Sequence, residues 1–125
     1  MEALKNELET LMRSINIDKI EPTFVENVYI YEGVFNSNFE KIACDLFSIK
    51  ISDLYSAKRN QHIVWCRYFV FDYLKTNSLL NASQIGVRYN KLHSSVILGI
   101  RKHKMLLSDK VYQMYYNQFL ININQ

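Results

Sequence analysis

The sequence is poor in the residues that turn or cross-link a chain. Its 125 residues include three glycines (Gly33, Gly86, Gly99), one proline (Pro22) and two cysteines (Cys44, Cys66). Loops that cradle phosphates need closely spaced glycines, so that backbone N–H groups approach without a Cβ in the way. These glycines are too far apart to write a P-loop or a GxGxxG turn, which excludes a P-loop ATPase and a Rossmann enzyme. Scarce proline and glycine also disfavour a turn-rich sandwich or barrel. The cysteines form no CxxC pair, and a reduced, cytoplasmic setting is expected. No apolar run approaches the ~20 residues of a membrane span. The opening MEALKNELETLMR is charged throughout and unlike a signal peptide.

Glutamate is missing from most of the chain: none follows Glu40. Residues 1–40 hold three basic and eight acidic side chains, net −5, whereas residues 41–125 hold twelve basic and four acidic ones, net +8. The split predicts an acidic segment, residues 1–37, and a basic body, residues 38–125, within the length of one domain. The acidic segment is a candidate surface for a protein partner. The oligomeric state is not encoded in any feature of the sequence.

What is present reads mainly as helix. Leu4, Leu8, Leu11 and Ile15 predict an amphipathic helix over 2–15. Val28–Tyr31 is β-branched and aromatic, and either a short hairpin turned at Gly33 or a further helix fits it. Asn36, Ser37 and Asn38 suggest a boundary and an N-cap. Phe39, Ile42, Ala43, Leu46 and Phe47 then form one helical stripe, and Ser52-Asp53-Leu54 opens a short helix at a serine cap. Residues 61–76 are apolar on most sides and predict the central helix. Asn81 with Gln84 reads as a capping box. A short helix to Tyr89, a turn at Asn90-Lys91-Leu92 and a longer helix from His93 follow. The inner stripe of that helix is Val96, Ile100, His103 and Leu107. After a cap at Ser108-Asp109, residues 110–121 finish the chain with Val111, Met114, Tyr115 and Leu120 as the apolar set.

Two consecutive helices, of about eight and twelve residues, around a turn of three or four residues fit a helix-turn-helix. Gly86 lets the second helix pack close. His93, Ser94 and Ser95 open that helix with hydrogen-bonding groups, where a recognition helix meets base edges. Arg88, Lys91, Arg101, Lys102 and Lys104 flank it and suit phosphates.

The stretch Phe39–Lys104 resembles the C-terminal DNA-binding domain of the bacterial replication initiator DnaA. The blocks that carry the likeness are Ile49-Lys50-Ile51-Ser52-Asp53-Leu54-Tyr55-Ser56-Ala57-Lys58-Arg59, the helix with Ile63, Val64 and Arg67, and Asn81-Ala82-Ser83-Gln84-Ile85-Gly86. The last block is Tyr89-Asn90-Lys91-Leu92-His93-Ser94-Ser95-Val96-Ile97-Leu98-Gly99-Ile100-Arg101-Lys102. The resemblance implies an all-α, Trp-repressor-like helix-turn-helix domain that binds double-stranded DNA in control of replication or transcription, in a bacterium or a phage. It implies Arg59 in the minor groove, His93 and Ser94 on bases in the major groove, and Ser95, Arg67 and Lys75 on phosphates. Ala82 and Ser83 would lie at a helix start facing a phosphate. Lys91 and Lys102 complete the candidate contacts. Leu92 stands where the family carries Asp and restricts that position to apolar contact. The turn is also one residue shorter than in many members. The glycine count leaves the ATPase module of the initiator without a counterpart here.

Competing readings stay beside these. Arg67, on an apolar helix side, fits an ion pair with Asp45 or Asp53 as well as a phosphate. His103 on the inner stripe reads as a core histidine. His62 and Cys66, four apart, are too few ligands for zinc, so no metal or cofactor is expected. The nine tyrosines mostly sit at core spacing, although Tyr112, Tyr115 and Tyr116 also suit a partner surface. No nucleophile and base are aimed at each other, and a non-enzyme is expected. The alternative function is a small interaction or adaptor protein that keeps the fold without specific DNA binding.

Overall fold

The computed structural model describes the backbone of residues 22–25 and 28–31, and residues 35–125 in full. The helix expected over 2–15 lies outside the described residues. Strands β1 (Pro22–Val25) and β2 (Val28–Tyr31) pair antiparallel, with Pro22 opposite Tyr31 and Val25 opposite Val28. The reversal therefore falls between Val25 and Val28, not at Gly33.

Six helices make the described body: α1 (Phe39–Phe47), α2 (Ile51–Tyr55), α3 (Gln61–Asn77), α4 (Ala82–Tyr89), α5 (His93–Leu106) and α6 (Lys110–Ile123). This is the expected all-α class, with the hairpin before it. The first helix starts after a clasp rather than a simple cap. Asn36 Oδ1 accepts from Asn38 N at 2.9 Å, its backbone N donates to the Tyr73 hydroxyl at 2.8 Å, and its Nδ2 donates to Ile123 O at 2.8 Å. One asparagine, through its backbone and its side chain, thus ties the start of α1 to the middle of the fold and to the end of α6.

Helix α3 occupies the centre because nearly every side of it is apolar. Cys66, Phe69, Val70 and Leu74 are fully buried. The Phe69 ring lies 5.1–5.8 Å from the rings of Phe47, His103, Tyr112, Tyr116 and Phe119. Burying such a side chain contributes about 1.5–3 kcal/mol, and favourable aromatic pairs add roughly 0.5–1.5 kcal/mol.

Two local expectations shift. Helix α2 begins at Ile51, one residue before the expected serine cap. The Asp53 carboxylate accepts from Lys50 N at 3.1 Å and closes its first turn. In α6, Tyr112 and Phe119 are the buried pair, whereas Val111, Met114 and Leu120 face outward. That helix carries one charge, Lys110, so either side could have been read as the inner one. Asp109 caps it as expected, accepting from Tyr112 N at 3.0 Å. Among the described residues, no helix is long and apolar enough to cross a membrane.

Candidate nucleic-acid interface

The helix pair α4–α5 follows from its punctuation. Asn81 Oδ1 accepts from Gln84 N and Gln84 Oε1 accepts from Asn81 N, each at 2.9 Å, so the capping box predicted from the sequence is formed. At the other end Asn90 takes the left-handed conformation (φ 57°), which asparagine tolerates better than most residues. Lys91 N donates to Gly86 O at 2.8 Å. A Cβ on residue 86 would stand 2.6 Å from Lys91 O and 3.4 Å from His93 N. Glycine is what allows the turn to fold back onto α4.

Helix α5 leaves this turn with Leu92, His93, Ser94 and Ser95 all exposed. Val96, Gly99 and His103 anchor its inner side. At Gly99 the helix comes close to α3: a Cβ there would lie 3.1 Å from both Phe71 and Tyr68 ring carbons. His103 is a core histidine, as its spacing suggested. Its Nε2 stands 3.5 Å from an Asp72 oxygen, which favours the Nε2–H tautomer and leaves Nδ1 to accept from the Tyr112 hydroxyl at 2.6 Å. Burial lowers its pKa, opposed by Asp72 and assisted by Lys104.

Arg67 corrects the sequence expectation most sharply. It is 7% exposed, only its edge reaches the cleft between the α2–α3 loop, α3 and α5, and among the described residues it pairs with no carboxylate. Its guanidinium donates to four backbone carbonyls: Nε to Leu54 O at 3.1 Å, Nη1 to Lys58 O at 2.7 Å, and Nη2 to Asp53 O and Ser56 O at 2.9 and 2.6 Å. A planar fork with five N–H donors suits such a set of acceptors. Burial lowers its pKa, and the charge of Arg59 lowers it further. Lys91 does related work. It is half-buried and its Nζ donates to Ser56 O, with its pKa lowered by burial and then by Arg67 and Arg59. Both cations brace the segment 53–58 that leads into Arg59. Lys58 reinforces it from outside through a 3.2 Å ion pair with Asp53.

Arg59 itself is exposed. It faces α5 across an open cleft of about 300 Å³ between the α2–α3 loop, α3 and α5. Arg59, Arg67, Lys91, Ser95 and Lys102 supply its polar lining, and Val64, Tyr68, Phe71 and Leu98 its apolar walls. The structure therefore brings five of the predicted residues to one cleft, two of them as braces. Leu92, His93 and Ser94 sit at the turn and first turn of α5. Exposed Lys75 near the end of α3, and half-buried Ala82 and exposed Ser83 at the start of α4, do not line the cleft. Tyr68 and Leu98 were missed; the spacing Ser95, Leu98, Lys102 (i, i+3, i+7) was the available signal for the second of these.

Arg88 also departs from its expected phosphate role. Its Nη2 donates to Glu40 Oε1 at 3.1 Å, and the guanidinium lies 5.8 Å from the centroids of both the Phe39 and Tyr89 rings. Tyr89 and Tyr55 hydroxyls donate to Glu40 Oε2 at 2.8 and 3.3 Å. The last glutamate of the chain thus joins α1 to α2 and α4. Among the described residues, no three His, Cys, Asp or Glu side chains cluster to hold a metal.

No family model matches the chain. It is 30% identical, over an alignment of 131 positions, to the Chromosomal replication initiator protein DnaA of Buchnera aphidicola subsp. Cinara cedri. The alignment covers 95% of this chain and 30% of that protein, so the chain spans about a third of the length of the relative it matches.

Proposed function

We propose that this protein binds double-stranded DNA sequence-selectively, through a helix-turn-helix formed by α4 and α5, in the control of replication or transcription. The observation that carries the reading is the cationic cleft between Arg59 and α5. When a recognition helix occupies the major groove and an arginine beside it reaches the minor groove, the sugar-phosphate strand between the two grooves runs between them. The cleft offers that strand Lys102 and Ser95 for phosphates and Tyr68 for sugars, while Arg59 reaches the minor groove beside it. His93 and Ser94 then meet base edges, and Lys75 and the start of α4 at Ala82 and Ser83 meet flanking phosphates. Likeness to a replication initiator over nearly the whole chain supports the same reading. The role is non-catalytic, and a cytoplasmic setting suits it.

Selection from a random duplex library, followed by titration of the enriched site, tests the proposal. An enriched motif bound more tightly than scrambled duplex is expected, and no enrichment would overturn it. A second reading rests on Val111, Met114 and Ile121, which expose an apolar row along α6. An adaptor that keeps the fold without DNA selectivity would use such a row, and it predicts the unenriched library.

A further inference from the structure

The first nine residues from the turn into α5, Leu92 to Ile100, read LHSSVILGI. They contain no Arg or Lys to take the paired acceptors of guanine. They contain no Asn or Gln to bracket adenine, and no Asp or Glu to accept from cytosine N4. Their hydrogen-bonding groups are confined to His93, Ser94 and Ser95. The remaining exposed side chains are apolar: Leu92 is 74% exposed, Leu98 47% and Ile97 40%. Leu92 precedes the helix in extended conformation at its N-cap. Helical geometry puts Leu98 opposite the buried Val96 and His103, between Ser94 and Arg101 on one side and the cleft-lining Ser95 and Lys102 on the other. Leu92 is largely open, and Leu98, although it borders the cleft, leaves nearly half of its side chain open to a ligand.

The thymine C5-methyl is the one apolar group that an unmodified base pair displays in the major groove. Resting on the DNA-binding reading above, we infer that Leu92 and Leu98 are specificity-determining residues, each selecting a thymine by packing on its methyl. His93 and Ser94 supply the polar part of the recognition between them. The preference is for the methyl itself and not for an A·T pair in general.

Uracil substitution isolates that group, since it deletes one methyl and keeps the pairing edge. Each thymine of the selected site is replaced singly by uracil, and affinities are measured for the full chain and for Leu92→Ala and Leu98→Ala. Burial of one methyl is worth about a three- to tenfold change in affinity. Two positions with that loss are expected. At one of them Leu92→Ala should bind thymine and uracil equally, and at the other Leu98→Ala should do so. Both residues are exposed, so unchanged thermal unfolding of the variants is expected and checks that folding is intact. Selective binding with no uracil-sensitive position, or with penalties that persist in both variants, would overturn the inference and leave the DNA-binding proposal standing. Absence of any selected site would overturn that proposal instead.

Discussion

At the scale of single residues, the two arginines of the cleft have opposite duties, and a pair of substitutions separates them. Arg67 satisfies carbonyls of residues 53, 54, 56 and 58 from within the fold. Arg67→Ala leaves those acceptors without their buried donor, which should cost about 2–4 kcal/mol in denaturant unfolding. Arg59 is exposed and braced only through its neighbours. Arg59→Ala should leave stability within about 0.5 kcal/mol while weakening binding to the selected duplex by about 1–3 kcal/mol. Equal loss of stability in both variants would show that the loop is not organised as described. Sequence reading placed Arg59 and Arg67 in one functional group because a buried arginine on a helix carries no local mark of its partners. Those partners are carbonyls in α2 and the loop after it, nine to fourteen residues earlier, and only the fold brings them into reach. His103 is the titrating counterpart. Burial depresses its folded pKa below the unfolded value of about 6.5. Its contribution to stability is therefore complete above that value. It declines as pH falls below it and is lost once pH passes the depressed folded value. Unfolding midpoints measured from pH 8 to pH 5 should fall with acidification more steeply in the parent than in His103→Gln.

At the scale of elements, the helix pair was the most legible part of the chain. Asn81 and Gln84 announce the start of α4, Asn90 its end, and Gly86 the close approach, because each answers to a local rule. Gly86→Ala tests the last of these. Its Cβ meets backbone, not a flexible side-chain end, so relief requires the turn itself to shift. Overpacking of this kind costs about 1–3 kcal/mol, and displacement of Leu92 and His93 should weaken DNA binding beyond what the stability loss explains. Thermal unfolding and affinity, measured together, check both parts. Wild-type values for the variant would mean that the turn is not held against α4. Where no local rule fixes which side is buried or where the chain reverses, the sequence misled. Helix α6, KVYQMYYNQFLINI, has apolar residues all round and a single charge, so its period does not choose between Val111–Met114 and Tyr112–Phe119. The choice is made by α3, whose Trp65 and Phe69 rings receive Tyr112 at 5.0 and 5.2 Å. The hairpin reversal between Val25 and Val28 likewise lacks the glycine that its reading assumed.

At the scale of the whole molecule, charge is distributed to match these roles. Several cations of the basic body are already committed: Arg67 and Lys91 to carbonyls, Arg88 to Glu40, and Lys58 to Asp53. A count of basic residues therefore overstates what is left for phosphates. Lys75, Arg101, Lys102 and Lys104 are exposed on α3 and α5. Each neutralised phosphate releases counterions, so log affinity falls with log salt at about 0.9 per contact on duplex DNA. Four contacts predict a slope of about −4 for the selected site. Lys102→Ala should reduce that slope by about 1, while Arg67→Ala, where still folded, should leave it unchanged. The acidic residues before the body enter the same measurement. If residues 1–37, which carry seven of the eight acidic side chains of the first forty, lie over the basic surface, they displace the same counterions before DNA arrives. Deleting residues 1–34, which removes all seven and spares the Asn36 clasp, should then tighten binding at low salt and steepen the slope toward that of the body alone. If they serve a protein partner instead, affinity and slope should stay as they are in the full chain. Titration of both chains over the same salt series decides between the two, and a slope near zero in either chain would remove phosphate contact from the account altogether.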